Sequence, residues 1–263
     1  MKLVTLIENT TCRDDLICEH GLSLYLETGG HRILFDAGQT DAFADNATRL
    51  GIDLAQVDLC ILSHGHYDHG GGLARFLREN KHAPVYLSRH AFDPHFNGTE
   101  KYIGLDNALM DSKRLVFTDD DHIIDNHLSL HTCNHCSCPY PLNPFGLTMR
   151  QDGRHVPEDF RHEQYLLIHE GKLRILISGC SHKGVLNICQ WFQPDVLIGG
   201  FHMMKLDPSG SGAADLQLAA EALMQYPTQY YTGHCTGEAQ FIFLKHIMGD
   251  RLQALSTGRC IQL

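Results

Sequence analysis

The stretch LSHGHYDHGGG, residues 62–72, places three histidines and one aspartate within six positions. It continues the apolar run VDLCIL, residues 57–62, which predicts a strand that is covered on both faces. In extended backbone the first two histidines project to the same side, and the glycines behind the cluster let the chain turn tightly enough to bring the other two side chains inward. Imidazole and carboxylate groups in this arrangement predict two half-sites for metal ions. The four side chains are His64, His66, Asp68 and His69.

Length, charge and hydropathy limit the class of protein. The 263 residues are 43% hydrophobic and 20% charged, and no linker divides them, so we expect a single domain over residues 1–263. A net charge of -10 without a lysine or arginine cluster argues against nucleic-acid or membrane partners and favours a small-molecule substrate. The N-terminus lacks a signal-peptide core and no run reaches about 18 apolar residues, which predicts a cytoplasmic protein. These features leave the oligomeric state open.

Hydrophobic patterning predicts two similar halves. Each half has apolar strands joined by a hairpin, at Gly29-Gly30 and at Glu170-Gly171, and continues into alternating strands and helices. Two such halves packed sheet to sheet with helices outside predict an α/β (α+β) protein, a four-layer αββα sandwich. Residues 92–160 are rich in Asp, Asn, His, Gly and Pro, which predicts a loop-rich insertion around the site.

Several motifs resemble one known family. SHGHYDHGGGL, residues 63–73, resembles the HxHxDH signature of the metallo-β-lactamase superfamily, whose fold is this αββα sandwich. LFDAG, residues 34–38, resembles its strand that ends in Asp-x-Gly, and TGHCTG, residues 232–237, resembles the turn with its last metal histidine. Within the superfamily the chain is similar to a subgroup named for dihydropteroate synthesis or ribofuranosylaminobenzene 5'-phosphate synthesis. Its members are mostly described as metal-dependent hydrolases.

The resemblance implies a ligand set for two divalent metal ions. His64 and His66 correspond to ligands of the first ion, and Asp68, His69 and His234 to ligands of the second. Zinc is the expected metal, with manganese or iron as alternatives.

The chain departs from the superfamily pattern at one ligand position. Ser178-Gly179-Cys180 stands where the superfamily has a bridging carboxylate, so Cys180 is either a thiolate ligand or a packed thiol. His182 is a further metal candidate. In the superfamily a third histidine binds the first ion, and this chain has no clear equivalent. His131 and His162-Glu163 match that histidine approximately. Alternatively, His182 completes the ligand set of the first ion.

Four further features have two interpretations each. Asp36 ends a strand and either orients a ligand imidazole or caps a helix. His202 is either a substrate contact or acid/base group or a structural histidine, and Lys183 either meets an anionic group such as phosphate or is a solvated charge. The cysteines of CNHCSC, residues 133–138, suggest a structural zinc but lack a second ligand pair.

These residues predict a metal-dependent hydrolase. A metal-activated water at a dinuclear site would attack a phosphoester, ester, lactone or amide of a small molecule, with Asp68 as both ligand and proton acceptor. The first alternative is a dihydropteroate-synthesis-type enzyme that joins a pterin diphosphate to an aminobenzoate-type partner. The others are a redox di-iron protein and a non-catalytic metal-binding protein.

Overall fold

Two seven-stranded sheets and a smaller four-stranded sheet contain the strands of the chain, described here from a computed structural model of residues 1–263. The strands are β1 (Lys2–Ile7), β2 (Ser23–Thr28), β3 (His31–Phe35), β4 (Leu59–Ile61), β5 (Val85–Ser88), β6 (His95–Asn97), β7 (Lys101–Tyr102), β8 (Leu115–Thr118), β9 (Asp121–Ile123), β10 (Leu128–His131), β11 (Leu147–Gln151), β12 (Arg154–Pro157), β13 (Tyr165–Glu170), β14 (Leu173–Ile177), β15 (Val196–Ile198), β16 (Gln229–Thr232), β17 (Leu252–Ala254) and β18 (Cys260–Gln262). The helices are α1 (Ala42–Arg49), α2 (Tyr67–Gly70), α3 (Leu73–Glu79), α4 (Val185–Phe192), α5 (Ala213–Leu223) and α6 (Glu238–Met248).

The two large sheets face each other across one apolar core. The first runs β18-β1-β2-β3-β4-β5-β8 and the second β17-β16-β15-β14-β13-β10-β9. Buried leucine, isoleucine, valine and phenylalanine side chains from both sheets pack together between them. Helices α1 and α3 cover the outer face of the first sheet, and α4, α5 and α6 cover the outer face of the second. The predicted four-layer αββα sandwich is confirmed.

The two halves repeat the same pairing pattern. In the first sheet, β1, β2 and β3 pair antiparallel, and β3, β4, β5 and β8 then pair parallel. In the second, β13 and β14 form an antiparallel hairpin, and β14 to β17 pair parallel. The turn between β2 and β3 has Gly29 and Gly30 at φ 57° and 84°, a conformation that glycine adopts without strain. Both predicted hairpins are present.

The segment 92–160 combines long loops with seven short strands, β6 to β12. Four of them form the small sheet, in the order β12-β11-β6-β7, while β8 joins the edge of the first large sheet and β9 and β10 join the second. The sequence pattern there showed little of this small sheet. No helix of the protein combines the length and the apolar character that crossing a bilayer requires.

Candidate metal centre

Parallel strands position the site. The carboxyl ends of parallel strands meet at one edge of a sheet, and β3, β4, β14, β15 and β16 all end here. The segments that follow them carry Asp36, residues 64–69, residues 178–182, His202 and His234.

Asp36 fixes the orientation of two histidine rings. Its Oδ2 lies 2.7 Å from His69 Nδ1 and accepts the Ser63 hydroxyl at 2.8 Å. Because that hydroxyl donates its hydrogen to Asp36, Ser63 Oγ accepts from His64 Nδ1, 2.8 Å away. Both rings therefore turn their Nε2 atom towards the site. This geometry corresponds to the orienting role considered for Asp36, whereas the N-cap position of α1 is Asp41.

One ligand group forms around His69. Its Nε2 lies 3.1 Å from Cys180 Sγ and 3.1 Å from His234 Nε2. Asp68 Oδ2 lies 3.3 Å from His234 Nε2 and 3.3 Å from the Nε2 of His20. His20, which the sequence did not single out, thus joins the ligand set expected for the second ion.

A second ligand group forms around His64. Its Nε2 lies 3.2 Å from His182 Nε2, and the ring of His66 stands 4.6 Å from the ring of His64 and 4.9 Å from that of His182. Cys180 belongs to a further close group with His64 and His69, so its thiol lies between the two sets. The structure brings together seven of the side chains that were considered as metal ligands, namely His64, His66, Asp68, His69, Cys180, His182 and His234.

Buried acceptors hold the two ligand histidines that come from distant loops. Glu163 Oε1 accepts the backbone N–H of His182 at 2.6 Å. Glu8 Oε1 accepts the backbone N–H of His234 at 2.6 Å, and Asn9 Oδ1 lies 3.0 Å from His234 Nδ1. The Nε2 atom of His234 therefore also faces the site. Sequence reasoning missed Glu8 and Asn9, although they follow β1 directly and the rule of strand ends applies to them too.

Neighbouring charges and hydrogen bonds oppose the effect of burial on the pKa of two residues in the site. Burial disfavours ionisation of Asp68, but hydrogen bonds from His20 and His234 outweigh it and hold the pKa of the carboxyl well below its usual range. Burial alone would lower the pKa of His69, but the charge of Asp36 raises it to about 9. The site therefore favours positive charge beside these carboxylates. Burial lowers the pKa of four other imidazoles well below the ordinary value, those of His64, His66, His162 and His182.

The donor atoms fit metal ions. In His64, His69 and His234 the Nδ1 atom has a fixed partner, so the Nε2 atom faces another ligand atom at 3.1 to 3.2 Å. Nitrogen and sulfur atoms this close in a desolvated site need either a hydrogen or a cation between them. Burial raises the pKa of the Cys180 thiol, and a bound metal would remove that proton. Imidazole, carboxylate and thiol donors together suit zinc.

A cleft of about 310 Å³ opens onto both ligand groups. His202 lines it, with its ring 4.2 Å from that of His182 and both ring nitrogens buried without a hydrogen-bond partner. Lys101 and Lys205 also line the cleft, and their side chains are exposed. We call this the active-site cleft.

Lys183 does not line the active-site cleft. Its residue is 4% exposed, and its ammonium donates to Thr132 O at 2.6 Å, to Asn134 Oδ1 at 2.8 Å and to Glu163 O at 3.2 Å. All three N–H groups of the ammonium therefore donate to acceptors inside the protein. The expected contact between Lys183 and an anionic substrate is therefore replaced by a structural role in tying the loop that carries His182 to its neighbours.

Three other candidates are not brought into the ligand groups. The cysteines of residues 133–138 are half-buried or exposed, and none belongs to a close group of metal-binding side chains. His131 lies on β10, with its Nδ1 2.6 Å from Asp121 Oδ1. His162 packs beside His66, with ring centres 5.0 Å apart, but its Nδ1 accepts the backbone N–H of Gly65 at 2.8 Å.

Comparison with known proteins relates the chain to one family. The sequence model of the metallo-beta-lactamase superfamily matches residues 16–144. A 7,8-dihydropterin-6-methyl-4-(beta-D-ribofuranosyl)-aminobenzene-5'-phosphate synthase of Methanocaldococcus jannaschii is 28% identical, over 93% of this chain and 90% of its own. An uncharacterized protein of the same organism is 29% identical over 77% of this chain and 80% of its own. The crystal structure of a metal-dependent hydrolase of the beta-lactamase superfamily superposes with a TM-score of 0.81 at 25% identity, covering 100% of this chain and 99% of the other.

Proposed function

The chain belongs to the metallo-beta-lactamase superfamily, and from that premise we propose that it is a dinuclear metal-dependent hydrolase that acts on a small-molecule phosphoester. The observation that carries the proposal is the convergence of two ligand groups on Cys180. Esters, lactones and amides are the other substrates that the same chemistry would accept.

Each group of side chains would hold one ion. His64, His66 and His182 would hold the first, and Asp68, His69 and His234 the second, with the Cys180 thiolate between them. Two divalent cations held there would polarise the scissile group and lower the pKa of a water molecule. The thiolate favours zinc over manganese, because manganese prefers oxygen ligands.

Asp68 and His20 have different roles in the proposed mechanism: Asp68 stays ionised, and His20 transfers protons. The pKa of Asp68 lies well below its usual range, so the carboxylate stays ionised and accepts hydrogen bonds rather than protons. A hydrogen bond to Asp68 raises the pKa of His20, whose side chain is 43% exposed. His20 is therefore the group suited to carry a proton from the site to solvent, a role first considered for Asp68.

His202 is suited to protonate the leaving group. Its ring lies next to His182 and lines the active-site cleft. Neither of its nitrogens has a hydrogen-bond partner within the protein, so a substrate group that reaches the ring would not have to displace one. A positioned imidazole of this kind supplies general acid catalysis.

Two lysines favour an anionic substrate. Lys101 and Lys205 are exposed at the active-site cleft, although the protein as a whole carries a net charge of -10. Lys101 Nζ lies 3.4 Å from the Tyr67 hydroxyl, and Lys205 Nζ donates to a backbone carbonyl, so neither ammonium is neutralised by a carboxylate. Together with two cations they would attract a phosphorylated molecule, which is why we place phosphoesters first.

A second candidate function rests on the methanogen relative. That relative is a synthase by name and is similar over 93% of this chain. The second candidate is therefore an enzyme that joins a pterin diphosphate to an aminobenzoate-type partner and releases diphosphate. Incubation with a dihydropterin diphosphate, with and without the aminobenzoate, separates the two functions because only a synthase forms a coupled product.

The first test is metal content, measured by elemental mass spectrometry on protein purified without added metal. Two zinc ions per chain, followed by hydrolysis of members of a phosphoester panel, would support the proposal. Iron with oxygen-dependent spectral changes would instead indicate a redox protein, and no metal after reconstitution would overturn the mechanism.

A cytoplasmic location stays a prediction and is checked by cell fractionation.

A further inference from the structure

The three residues that precede β13 are polar, and all of them are buried. They are His162, Glu163 and Gln164, each at 0% exposure. Buried polar side chains are stable where their hydrogen bonds are made inside the protein. Residues 162–164 form such bonds with the two loops that carry the proposed ligands of the first ion. We call these three residues the buried polar segment.

His162 contacts the first of these loops at the peptide between two ligands. Its Nδ1 accepts the backbone N–H of Gly65 at 2.8 Å, and Gly65 separates His64 from His66. A side-chain carbon at Gly65 would lie 2.0 Å from Ala91 O, so this peptide is also packed closely against its neighbour. The Gly65 peptide therefore has one buried acceptor and little room to turn.

The same hydrogen bond excludes His162 as a metal ligand. A ring that accepts at Nδ1 carries its hydrogen on Nε2 and has no lone pair to offer there. Nε2 lies 3.7 Å from Oε1 of Glu158, a buried carboxylate oxygen without a hydrogen-bond partner. Glu158 belongs to a close group with His66 and His95 as well, and its negative charge favours a hydrogen on the nitrogen that faces it. His162 thus supports the ligand loop without joining the ligands.

Glu163 contacts the second loop at a third ligand. Its Oε1 accepts the backbone N–H of His182 at 2.6 Å, and its Oε2 accepts that of Lys183 at 3.0 Å. The same Oε2 accepts the Tyr165 hydroxyl at 2.6 Å, so the carboxylate is itself held. Because His162 and Glu163 are neighbours in the chain, the two ligand loops are tied to adjacent positions of one segment.

Gln164 fixes the buried polar segment to the strand that leads into the ligands. Its backbone N–H donates to Ser63 O at 2.8 Å, and its side-chain amide donates to Leu62 O at 2.8 Å. Its Oε1 accepts the Thr118 hydroxyl at 2.6 Å. With the bond from His162, the segment therefore contacts the backbone on both sides of His64.

We propose that the buried polar segment aligns the three proposed ligands of the first ion, with His162 as the positioning residue for His64 and His66. The inference rests on the proposed metal centre. Groups that orient metal ligands contribute to affinity although they do not touch the metal. His162, which the sequence suggested as an approximate ligand match, would act on the metal through the Gly65 peptide.

The second ion should not depend on the buried polar segment. Its proposed histidines are held by other groups, His69 by Asp36 and His234 by Glu8. A defect in the segment should therefore weaken the first ion and spare the second. This difference separates a positioning role from a general loss of packing.

Two substitutions of His162 separate its hydrogen bond from its ring. His162→Asn keeps an acceptor, because its Oδ1 occupies the position of Nδ1 in the side chain, but loses the ring. His162→Phe keeps a ring and loses the acceptor. Loss of an orienting partner typically costs about 10–100-fold in metal affinity. We expect His162→Phe to weaken the first zinc by this factor and His162→Asn to weaken it less, whereas a packing role predicts the opposite order.

Chelator competition measures the affinity of each ion separately. Asp68→Ala protein should retain the first ion alone, and His66→Ala protein the second alone. We expect His162→Phe to weaken zinc only in the Asp68→Ala background and to change the visible spectrum of cobalt bound there. In the His66→Ala background, which is the matched control, affinity and cobalt spectrum should stay unchanged.

The outcomes separate this inference from the proposed function. Unchanged affinity for the first ion in folded His162→Phe overturns the inference alone, and so does an equal loss at both ions or a larger loss in His162→Asn. If His162→Phe does not fold, Glu163→Gln replaces it and should weaken the first zinc alone, since one backbone N–H then loses its acceptor; unchanged affinity there overturns the inference too. Wild-type protein that binds no ion overturns the proposed function and this inference with it.

Discussion

The Nε2 atoms of His64 and His182 lie 3.2 Å apart, although 118 positions separate the two residues in the chain. His64 is held by Ser63 and, through it, by Asp36. His182 is held through its backbone by Glu163. Of the three histidines considered as a third ligand of the first ion, His182 is the one that the structure places against His64.

Replacement of Cys180 should disturb both ions. Its Sγ lies 3.1 Å from His69 Nε2 and within the group that contains His64. We expect Cys180→Ala to bind zinc at least tenfold more weakly, and Cys180→Asp to keep two ions while shifting preference towards manganese, because carboxylate oxygen is the harder ligand. Metal content and competition titration measure this. Cys189→Ala, which removes another buried thiol, is the control. Full retention of zinc by Cys180→Ala would show that Cys180 packs in the site without binding metal.

Removal of His202 should slow turnover without removing metal. General acid catalysis contributes about 10²–10⁴-fold, so we expect kcat for a phosphoester with a poor leaving group to fall by about 10² in His202→Asn. A substrate with a good leaving group needs little protonation and serves as the internal control. Equal losses on both substrates, or a loss of zinc, would assign His202 a structural role.

The two cleft lysines should control substrate affinity. Lys101→Ala and Lys205→Ala remove exposed charges, so we expect KM for a phosphorylated substrate to rise about tenfold in each while kcat stays within a factor of two, since the interaction is made before the transition state. Steady-state kinetics at low and high salt check this. The KM of an uncharged ester should not change; if it rises equally, the lysines shape the cleft rather than recognise charge.

Lys183 should matter for stability rather than for binding. Lys183→Met leaves the acceptors at Thr132, Asn134 and Glu163 without their buried donor, and removing one partner of a buried charged network costs about 3 kcal/mol. Denaturant unfolding should show this loss of free energy. Lys172→Met, at an exposed position, is the control. A raised KM with unchanged stability would instead indicate that Lys183 contacts the substrate.

Zinc binding should release protons in a pattern set by His69 and Cys180. The pKa of His69 is raised to about 9 by the charge of Asp36, and burial raises that of the Cys180 thiol. At pH 7 the metal-free protein therefore holds both protons, and zinc must displace about two. Affinity should rise as the pH increases towards 9 and protons compete less.

Calorimetric titration in buffers of different ionisation enthalpy counts these protons. Cys180→Ala should reduce the number released at pH 7 to about one. Above pH 9 the contribution of His69 should vanish in wild type. Release of only one proton by wild-type protein at pH 7, lost entirely in Cys180→Ala, would show that His69 is already neutral in the metal-free protein.

Local patterns were sufficient to predict the sandwich and half of the site. Alternating apolar residues define strands, and glycines define the two hairpins, because these preferences act over a few neighbouring residues. The spacing of His64, His66, Asp68 and His69 likewise places them together without knowledge of the rest of the chain. The small sheet of residues 92–160 escaped this reasoning because its strands are short and polar.

Only the tertiary structure decided the rest, because it depends on loops that meet from distant parts of the chain. The sequence offered His182 as a metal candidate and His131 and His162 as approximate matches for the third histidine, and packing brings His182 to His64. Lysine is usually exposed, so nothing local indicated that Lys183 would be buried and would donate to three acceptors. Glu158 has no motif of its own; its place behind His66 follows from the folding of the insertion onto the core.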